Sequence, residues 1–291
     1  MIDEPRTPTS TFLALNRFKL ETFVIKLGGE ALADPVAFES LVDDVGLIVR
    51  AGVRIVLVHG GGPQATALSR RLGLEPRIVG GRRITDAATL EVMKMTLAGT
   101  IPVDMAAMFR RKGIPTVPLS GVAADLIIAK RRPPRVVTGC GDEPVDFGEV
   151  GDILSVGTGL LATLLERRYV PLIGTLGADL DGNVLNINAD IAAARIAAAI
   201  GASRLLMLTG AKGVLRDPDD PATCIPRLTV AEAREAIATG AVRGGMIPKL
   251  EESFKALELG VPQVHVLSHA EPHAVLTELV TEERSGTLLV P

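Results

Sequence analysis

Aromatic residues and cysteines are scarce in this sequence. Only 3% of the 291 residues are aromatic, with no Trp and a single Tyr, although 47% are hydrophobic. The core is therefore predicted to consist of Leu, Val, Ile and Ala, as in parallel sheets covered by helices. The two cysteines, Cys140 and Cys224, lie far apart in the chain. This spacing excludes a disulfide framework and a paired-cysteine metal site, and it fits a reducing cytoplasm.

The sequence also lacks the patterns that mark several other protein classes. The net charge is −3 and no long basic block occurs, which argues against a nucleic-acid partner. No signal segment begins the chain, and the longest strongly apolar run without a charge, 153–165, has about 13 residues, too few to cross a bilayer. The four histidines offer no HExxH-type pair, so no metal site is predicted. We expect a cytoplasmic protein that does not associate with membranes.

Short apolar runs alternate with longer, helically periodic stretches along the chain. This alternation predicts an α/β protein with a mostly parallel central sheet sandwiched by helices. Right-handed crossovers then bring the carboxyl ends of the strands, and the loops that follow them, to one edge of the sheet. The predicted strands are 22–27, 53–58, 115–118, 170–174, 204–208 and 263–267. The predicted helices are 36–50, 63–72, 86–112, 157–167, 189–200, 229–238 and 246–259.

Two segments fall outside this alternation. Residues 1–22 form an N-terminal extension in which 11–20 has apolar residues at partly helical spacing, which predicts a short helix that packs either on its own domain or on a partner subunit. The residues of that apolar face are Phe12, Leu13, Leu15 and Phe18. The stretch 127–152 carries a basic and then an acidic run, both broken by prolines and glycines. It predicts a small antiparallel hairpin insert whose charges form a solvated face or a lid.

One loop contains three successive glycines between a predicted strand and a predicted helix. Ile55–Val58 suits a buried strand, and Pro63 suits the first turn of a helix. Between them Gly60, Gly61 and Gly62 let backbone N–H groups approach a ligand, and the helix N-terminus adds partial positive charge. The pattern predicts an anion site, most often for phosphate, and a tight turn without a ligand is the alternative.

Another loop of this kind lies earlier in the chain. We call 60–62 the second glycine loop, and the first glycine loop follows the strand 23–27. It contains Gly28 and Gly29, and the strand before it carries Lys26 within an apolar run. A lysine is rarely buried without a partner, and at a strand end beside a Gly-Gly turn it is well placed to meet phosphate oxygens. The alternative is a lysine that extends to solvent. Two glycine loops, one with its own cation, favour phosphate chemistry.

The last third of the chain adds three polar features. Asn186, Asn188 and Asp190 precede an Ala-rich helix, and three such residues exceed what helix capping needs. The segment 206–215 is a strand that enters a glycine-containing turn. Lys249 lies in the first turn of a helix, where a positive charge opposes the helix dipole and suggests a bound anion.

The segment 157–162 matches a GxGxxA pattern, with acidic residues about 20 positions later at Asp179 and Asp181. This is a weak dinucleotide fingerprint, because the strand before it is short and lies deep in the chain. We regard NAD binding as a minor alternative to phosphate chemistry.

In their order and spacing these motifs resemble the amino acid kinase superfamily and, within it, the N-acetylglutamate kinases. The resemblance covers about 23–289. It implies the amino acid kinase fold, in which 23–200 forms an amino-acid-binding lobe and 201–291 a nucleotide-binding lobe of one continuous fold. The motifs are the two glycine loops, Gly81–Asp86, Asn186–Asp190, the turn Thr209–Leu215 and Gly245–Lys249.

The resemblance implies ATP-dependent phosphorylation of the γ-carboxylate of N-acetyl-L-glutamate in arginine biosynthesis, with ATP and Mg²⁺. Lys26 and Lys249 would approach the transferred phosphoryl group from opposite sides, and Asp190 would orient both lysines. The implied substrate-binding residues are Gly61, Gly62, Arg83 and Asn186. The implied nucleotide-binding residues are Gly28, Gly29, Thr209, Gly210, Lys212, Gly213 and Leu215.

Some residues depart from the family pattern, and these departures keep alternatives open. Gly210 replaces a frequent aspartate, Pro102-Val103 an Asn-Lys pair and Val122-Ala123 a Lys-Asp pair, and His269 lies where a glycine-containing turn is usual. The alternatives are a kinase for another N-blocked acidic amino acid, and a non-catalytic homologue that binds arginine or an acyl amino acid. The resemblance also implies a homodimer, an arginine effector, and a hexamer if the N-terminal helix joins three dimers.

Overall fold

The computed structural model describes residues 8–137, 141–217, 220–281 and 284–291, so Cys140 lies outside the described residues. The strands are β1 Thr22–Leu27, β2 Arg54–His59, β3 Ile78–Val79, β4 Arg82–Arg83, β5 Thr116–Ser120, β6 Ile127–Arg131, β7 Gly151–Val156, β8 Val170–Gly174, β9 Leu176–Ala178, β10 Val184–Asn186, β11 Arg204–Thr209, β12 Arg227–Thr229, β13 Val264–Ser268 and β14 Thr287–Val290. The helices are α1 Pro8–Leu15, α2 Gly29–Ala33, α3 Pro35–Arg50, α4 Gly62–Arg71, α5 Ala87–Met95, α6 Ile101–Arg111, α7 Gly159–Glu166, α8 Ala189–Ala199, α9 Val230–Ala238, α10 Met246–Glu258 and α11 Ala274–Val280.

The main sheet has eight strands in the order β12-β14-β13-β11-β1-β2-β8-β5. All neighbouring pairs are parallel except β13 and β14. The prediction of a mostly parallel sheet sandwiched by helices is therefore confirmed. The sheet is continuous from β1 to β11, which joins the first part of the chain to the last.

The two faces of the main sheet have separate apolar cores. Along β1, Phe23, Ile25 and Leu27 pack into one core with α3, α6 and α11, whereas Val24 packs into the other core with α8 and α10. Successive strand side chains point to opposite faces. Lys26 therefore points to the same face as Val24, toward α8.

The predicted helix at 86–112 is interrupted. A π-helical turn, Thr96–Thr100, joins α5 to α6, and Pro102 follows it. Proline has no N–H and its ring clashes with the carbonyl four residues earlier, so the regular hydrogen-bond pattern cannot continue through it. The whole stretch Ala87–Arg111 is long and apolar enough for a membrane span by length and composition alone. Here Leu90, Met93, Leu97, Ile101, Met105 and Phe109 are buried in the protein.

The predicted insert at 127–152 is larger than expected. β6 and β7 form an antiparallel pair that extends to Val156, and β6 also pairs in parallel with β9, which pairs with β10. The β9–β10 pair was not predicted because its strands have only three residues each. β7 belongs to this small antiparallel pairing, whereas the dinucleotide fingerprint requires a strand of a parallel βαβ unit. The alternative of NAD binding at 157–162 is therefore wrong.

The N-terminal helix packs on its own chain. α1 contacts α3 and α11. Leu15 and Phe18 are buried in the core that these helices share with β1, where the Phe18 ring contacts Phe23. Phe12 and Leu13 remain 38% and 64% exposed. Of the two alternatives for this segment, the structure shows packing on its own domain for part of the apolar face, and the described residues leave the other part exposed.

Candidate functional site

The two glycine loops lie side by side at the carboxyl edge of the main sheet. β1 and β2 are parallel neighbours, and Gly60 N donates to Leu27 O at 3.0 Å. A Cβ atom on Gly29 would lie 2.6 Å from Pro63 Cδ and 3.2 Å from Gly61 Cα, so the loops are in contact. A Cβ atom on Gly62 would meet nothing within 4 Å. The side of Gly62 on which a side chain would lie therefore faces open space, which leaves room for a ligand beside this loop.

Lys26 forms an ion pair at this edge. Its Nζ lies 2.7 Å from Asp190 Oδ1, and the two side chains are 8% and 18% exposed. A Cβ atom added to Gly28 would lie 3.8 Å from the same Nζ. The ammonium group therefore lies between the first glycine loop and the start of α8, and it does not extend to solvent.

The three polar residues before α8 have three different roles. Asn188 is the N-cap, and its Oδ1 accepts from Asp190 N at 2.9 Å and from Ile191 N at 3.1 Å. Asp190 binds Lys26, and Asn186 Nδ2 donates to Thr85 Oγ1 at 3.2 Å. Capping thus uses only one of the three side chains, as the sequence indicated.

Arg83 connects the β3–β4 hairpin to the second glycine loop. Its Nη2 donates to Gly62 O at 3.0 Å and to Thr66 Oγ1 at 2.6 Å. Its Nη1 is buried and has no hydrogen-bond partner among the described residues. Burial lowers the pKa of this guanidinium from its ordinary value. A desolvated guanidinium with an unused donor is a suitable group to bind a carboxylate.

The turn after β11 forms the other side of this edge. Thr209 Oγ1 accepts from Ala211 N at 3.1 Å, and Lys212 Nζ lies 3.3 Å from Glu271 Oε1. Gly213 has φ +156, and a Cβ atom there would lie 2.6 Å from Thr287 Oγ1. Beside this turn lies a cavity of about 110 Å³ whose lining includes Ala211, Val214, Leu215, Val242 and Met246. Its mostly apolar lining suits a planar base.

Lys249 lies in the first turns of α10, but it does not join the Lys26–Asp190 pair. Its Nζ donates to Gly245 O at 3.3 Å, and it forms no ion pair with Asp190. Ser253, one turn further along α10, contacts Met207 on β11, and Met207 is the register partner of Lys26. Because a crossover helix runs antiparallel to its strands, the first turn of α10 faces the same sheet edge. The structure therefore places Lys249 at the edge, with no carboxylate partner among the described residues.

Sequence reasoning missed His59 and Gln64. His59 is fully buried, its Nδ1 lies 3.1 Å from Gly60 O, and burial lowers its pKa to about 4. Gln64 Nε2 donates to Gly29 O at 2.6 Å and so links the two glycine loops. His59 directly precedes the glycine triplet and Gln64 follows it after Pro63, and this position in the sequence is the signal that would have found them.

A model of the amino acid kinase family matches residues 21–268 of this chain. The chain is 49% identical over 268 residues to an acetylglutamate kinase of Sorangium cellulosum (strain So ce56), covering 92% of this chain and 94% of that relative. It is 40% identical over 273 residues to an acetylglutamate kinase of Methanococcus aeolicus, covering 94% of this chain and 93% of that relative.

Two solved structures show the same fold. N-acetylglutamate synthase from Neisseria gonorrhoeae, complexed with coenzyme A and N-acetyl-glutamate, matches with a TM-score of 0.82 at 26% identity. That match covers 97% of this chain and 62% of the longer synthase chain. A carbamate kinase from Giardia matches with a TM-score of 0.64 at 18% identity, covering 93% of this chain and 99% of that one.

Proposed function

The chain belongs to the amino acid kinase family, and we propose that it catalyses ATP-dependent phosphorylation of the γ-carboxylate of N-acetyl-L-glutamate, a step of arginine biosynthesis. The observation that carries the proposal is the junction of the two glycine loops. There the Lys26–Asp190 pair and the unused Nη1 donor of Arg83 occupy the same sheet edge as the exposed backbone of Gly62. Relatives that carry the name acetylglutamate kinase support the substrate.

The reaction forms an acyl phosphate when a carboxylate oxygen attacks the γ-phosphorus of ATP and ADP leaves. A carboxylate is already ionised at neutral pH, so the enzyme needs no general base for the nucleophile. The main obstacle is repulsion between the anionic nucleophile and the anionic phosphate. Catalysis then depends on positioning and on preorganised positive charge, as for other phosphoryl transfers.

The described residues supply these parts. Lys26 is held by Asp190 beside Gly28, where it neutralises charge on the transferred phosphoryl group. Lys249, at the start of α10, reaches the same group from the nucleotide side. Backbone N–H groups of Gly61 and Gly62 bind the phosphoryl oxygens and the γ-carboxylate. These roles rest on the family resemblance and on the placement of the residues at one edge.

The substrate and the nucleotide take opposite parts of the edge in this proposal. Arg83 binds the α-carboxylate through Nη1, and Asn186 lies near the α-substituents. On the other side Gly29, Thr209, Gly210 and Lys212 border the phosphates and ribose, and the cavity beside Gly213 and Leu215 holds the adenine. Residues 23–200 and 201–291 would then act as the amino-acid-binding and nucleotide-binding lobes.

Magnesium would enter with the nucleotide. The described ranges contain no cluster of three or more His, Cys, Asp or Glu side chains able to hold a metal ion. Mg²⁺ usually keeps several waters and binds through substrate phosphates with one or two carboxylates, and this edge fits that kind of site. When bound, the ion neutralises charge on the β- and γ-phosphates.

Assembly, effector and location are also part of the proposal. A solved synthase structure of this fold, at 24% identity, is complexed with L-arginine, which suggests arginine as an effector to test here. We propose a cytoplasmic homodimer, with the exposed part of the N-terminal helix as the contact that would join three dimers into a hexamer.

Coupled ADP release tests the proposal directly. We expect turnover with N-acetyl-L-glutamate and much less turnover with N-acetylaspartate or N-acetyl-aminoadipate. Faster turnover with either analogue would identify that analogue, and not N-acetyl-L-glutamate, as the preferred substrate. Absence of turnover with all three, together with binding of arginine or an acyl amino acid, would make the chain a non-catalytic homologue.

A further inference from the structure

The carboxyl ends of β1, β11 and β13 meet around Gly210, which has no side chain. A Cβ atom at Gly210 would lie 3.6 Å from Glu30 Oε2 and 3.9 Å from His269 Nε2. Glu30 follows the first glycine loop, and His269 follows β13, where its backbone N donates to Thr209 O at 2.8 Å. Two polar side chains from different loops therefore face the same small gap at the mouth of the proposed nucleotide site.

The two ring nitrogens of His269 have different surroundings. Nδ1 is buried and has no hydrogen-bond partner among the described residues, whereas Nε2 faces the gap at Gly210. Burying an N–H group without an acceptor is costly. The neutral ring is therefore most stable with its proton on Nε2, so that it presents an N–H donor to the gap.

Glu30 presents the opposite chemistry. It lies in the first turn of α2, its side chain is exposed, and no ion pair holds its carboxylate in the described ranges. A bare carboxylate beside a phosphate chain would be repelled. A carboxylate that binds the divalent cation on those phosphates would instead be attracted, and oxygen ligands are the ones Mg²⁺ prefers.

We propose that Glu30 and His269 together contact the nucleotide across the gap at Gly210: His269 Nε2–H donates to a phosphate oxygen, and Glu30 binds the magnesium ion directly or through its water. The two side chains thus perform the task of the side chain that position 210 lacks. This inference rests on the proposed nucleotide site, and it adds two binding residues to it.

Calorimetric titration with ADP, with magnesium and again with EDTA, separates the two contacts. Glu30→Gln should weaken binding of MgADP roughly fivefold and leave binding of metal-free ADP within about twofold, because only the metal contact is lost. His269→Leu should weaken binding of both forms roughly fivefold, whereas His269→Gln, which keeps an N–H donor near the Nε2 position, should restore most of the affinity.

Gly210→Ala tests the gap itself. The added methyl group meets both neighbours at ordinary contact distance, so the variant should fold, and its affinity for MgADP should stay within about twofold of wild type because Glu30 and His269 still supply both contacts. Glu258→Gln and Gly159→Ala are the matched controls: Glu258 lies at the far end of α10, and a Cβ atom on Gly159 meets nothing within 4 Å. Thermal unfolding of each variant checks the fold.

The outcomes are distinct. Affinities within about twofold of wild type in both Glu30→Gln and His269→Leu would overturn the inference. A loss in Glu30→Gln that persists in EDTA would overturn the metal contact. A wild-type chain that binds MgADP but does not phosphorylate N-acetyl-L-glutamate would overturn the proposed substrate only, because the binding measurement does not depend on the amino acid.

Discussion

Lys26 Nζ and Asp190 Oδ1 lie 2.7 Å apart and join the end of β1 to the first turn of α8. The pair is largely buried, so each charge depends on the other for its solvation. It therefore links stability to catalysis at one point of the proposed site.

Lys26→Ala should lower turnover about 10²–10³-fold, because one preorganised donor to the phosphoryl group is lost. It should also lower the free energy of unfolding by roughly 3 kcal/mol, since Asp190 is left without its partner. The double variant with Asp190→Ala should regain much of the stability and none of the turnover. Lys94→Ala, which breaks a surface pair, is the control. Turnover close to wild type in Lys26→Ala would show that the proposed active site is wrong.

Lys249→Ala should lower turnover without lowering stability. Its Nζ contacts only Gly245 O at 3.3 Å in the described structure, and its charge opposes the dipole of α10. We expect turnover to fall about 10²–10³-fold with an unchanged unfolding temperature. Steady-state kinetics and a thermal melt on the same preparation measure both. A variant that loses stability and keeps its turnover would show that Lys249 has a structural role.

Arg83→Lys should raise the KM for the amino acid more than the KM for ATP. A guanidinium can keep Gly62 and Thr66 on Nη2 while Nη1 binds a carboxylate, and an ammonium group cannot reproduce that geometry. Arg82→Lys, on the same strand, is the matched control. A larger rise in the KM for ATP would show that Arg83 binds the nucleotide and not the amino acid.

Asp44 gives a prediction for the pH dependence of stability. Burial raises its pKa from 3.8 to about 6, against the opposing effect of its hydrogen bond to His273. The folded state therefore holds the proton more firmly than the unfolded chain, and this carboxyl contributes stability at low pH that is lost as pH rises from about 4 to about 6. The shift corresponds to about 3 kcal/mol across that window.

Asp44→Asn removes this titration, so the free energy of unfolding of the variant minus that of wild type should rise by that amount between pH 4 and 6. Urea unfolding at several pH values provides the measurement. His59, whose pKa burial lowers to about 4, contributes the opposite slope in both proteins and cancels in the difference. A difference that stays constant with pH would contradict the raised pKa of Asp44.

The exposed part of the N-terminal helix tests the assembly. Phe12→Ser with Leu13→Ser should convert a hexamer to dimers and leave turnover unchanged, because Leu15 and Phe18 stay packed on their own chain. Light scattering gives the mass of each form, and Leu180→Ser, at an 82% exposed turn residue, is the control. A wild-type protein that is already dimeric at micromolar concentration would exclude the hexamer.

The sequence predicted the central sheet well because period-2 and period-3.6 patterns are local. Of the six predicted strands, 22–27 and 170–174 have the bounds that the structure has. The bounds of the other four differ by at most about two residues from those of the observed strands. Residues 274–280 and 287–290 were missed because they are short and their burial depends on distant partners. Thr287 Oγ1, for example, accepts from Val214 N at 2.8 Å.

The site was less fully predictable than the fold. The glycine loops, Lys26 and Asp190 follow from strand ends that meet at one edge, and the structure joins them. The hairpin that carries Arg83 has only two residues in each strand, and the contact of Arg83 with Gly62 is tertiary. The approach of Glu30 and His269 to Gly210 depends on three separate loops, which no periodicity in the sequence indicates.

The π-helical turn at Thr96–Thr100 makes the number of residues in its helix matter as much as their identity. A Cβ atom at Gly61 would lie 2.5 Å from Ile101 Cδ1 and 2.9 Å from Leu97 Cδ2. Side chains within and just after this turn therefore pack against the second glycine loop. A π-helical turn holds one residue more than an α-helical turn, so this turn absorbs the extra residue and the helix after it keeps the same face toward the core. Deleting one residue from the turn would restore a regular helix and leave Met105 and Phe109 on that face. Inserting one residue after Pro102 would instead rotate Met105 and Phe109 by about 100°, away from the core. This helix should therefore tolerate a one-residue deletion at the π-helical turn during evolution, and it should not tolerate a one-residue insertion in α6.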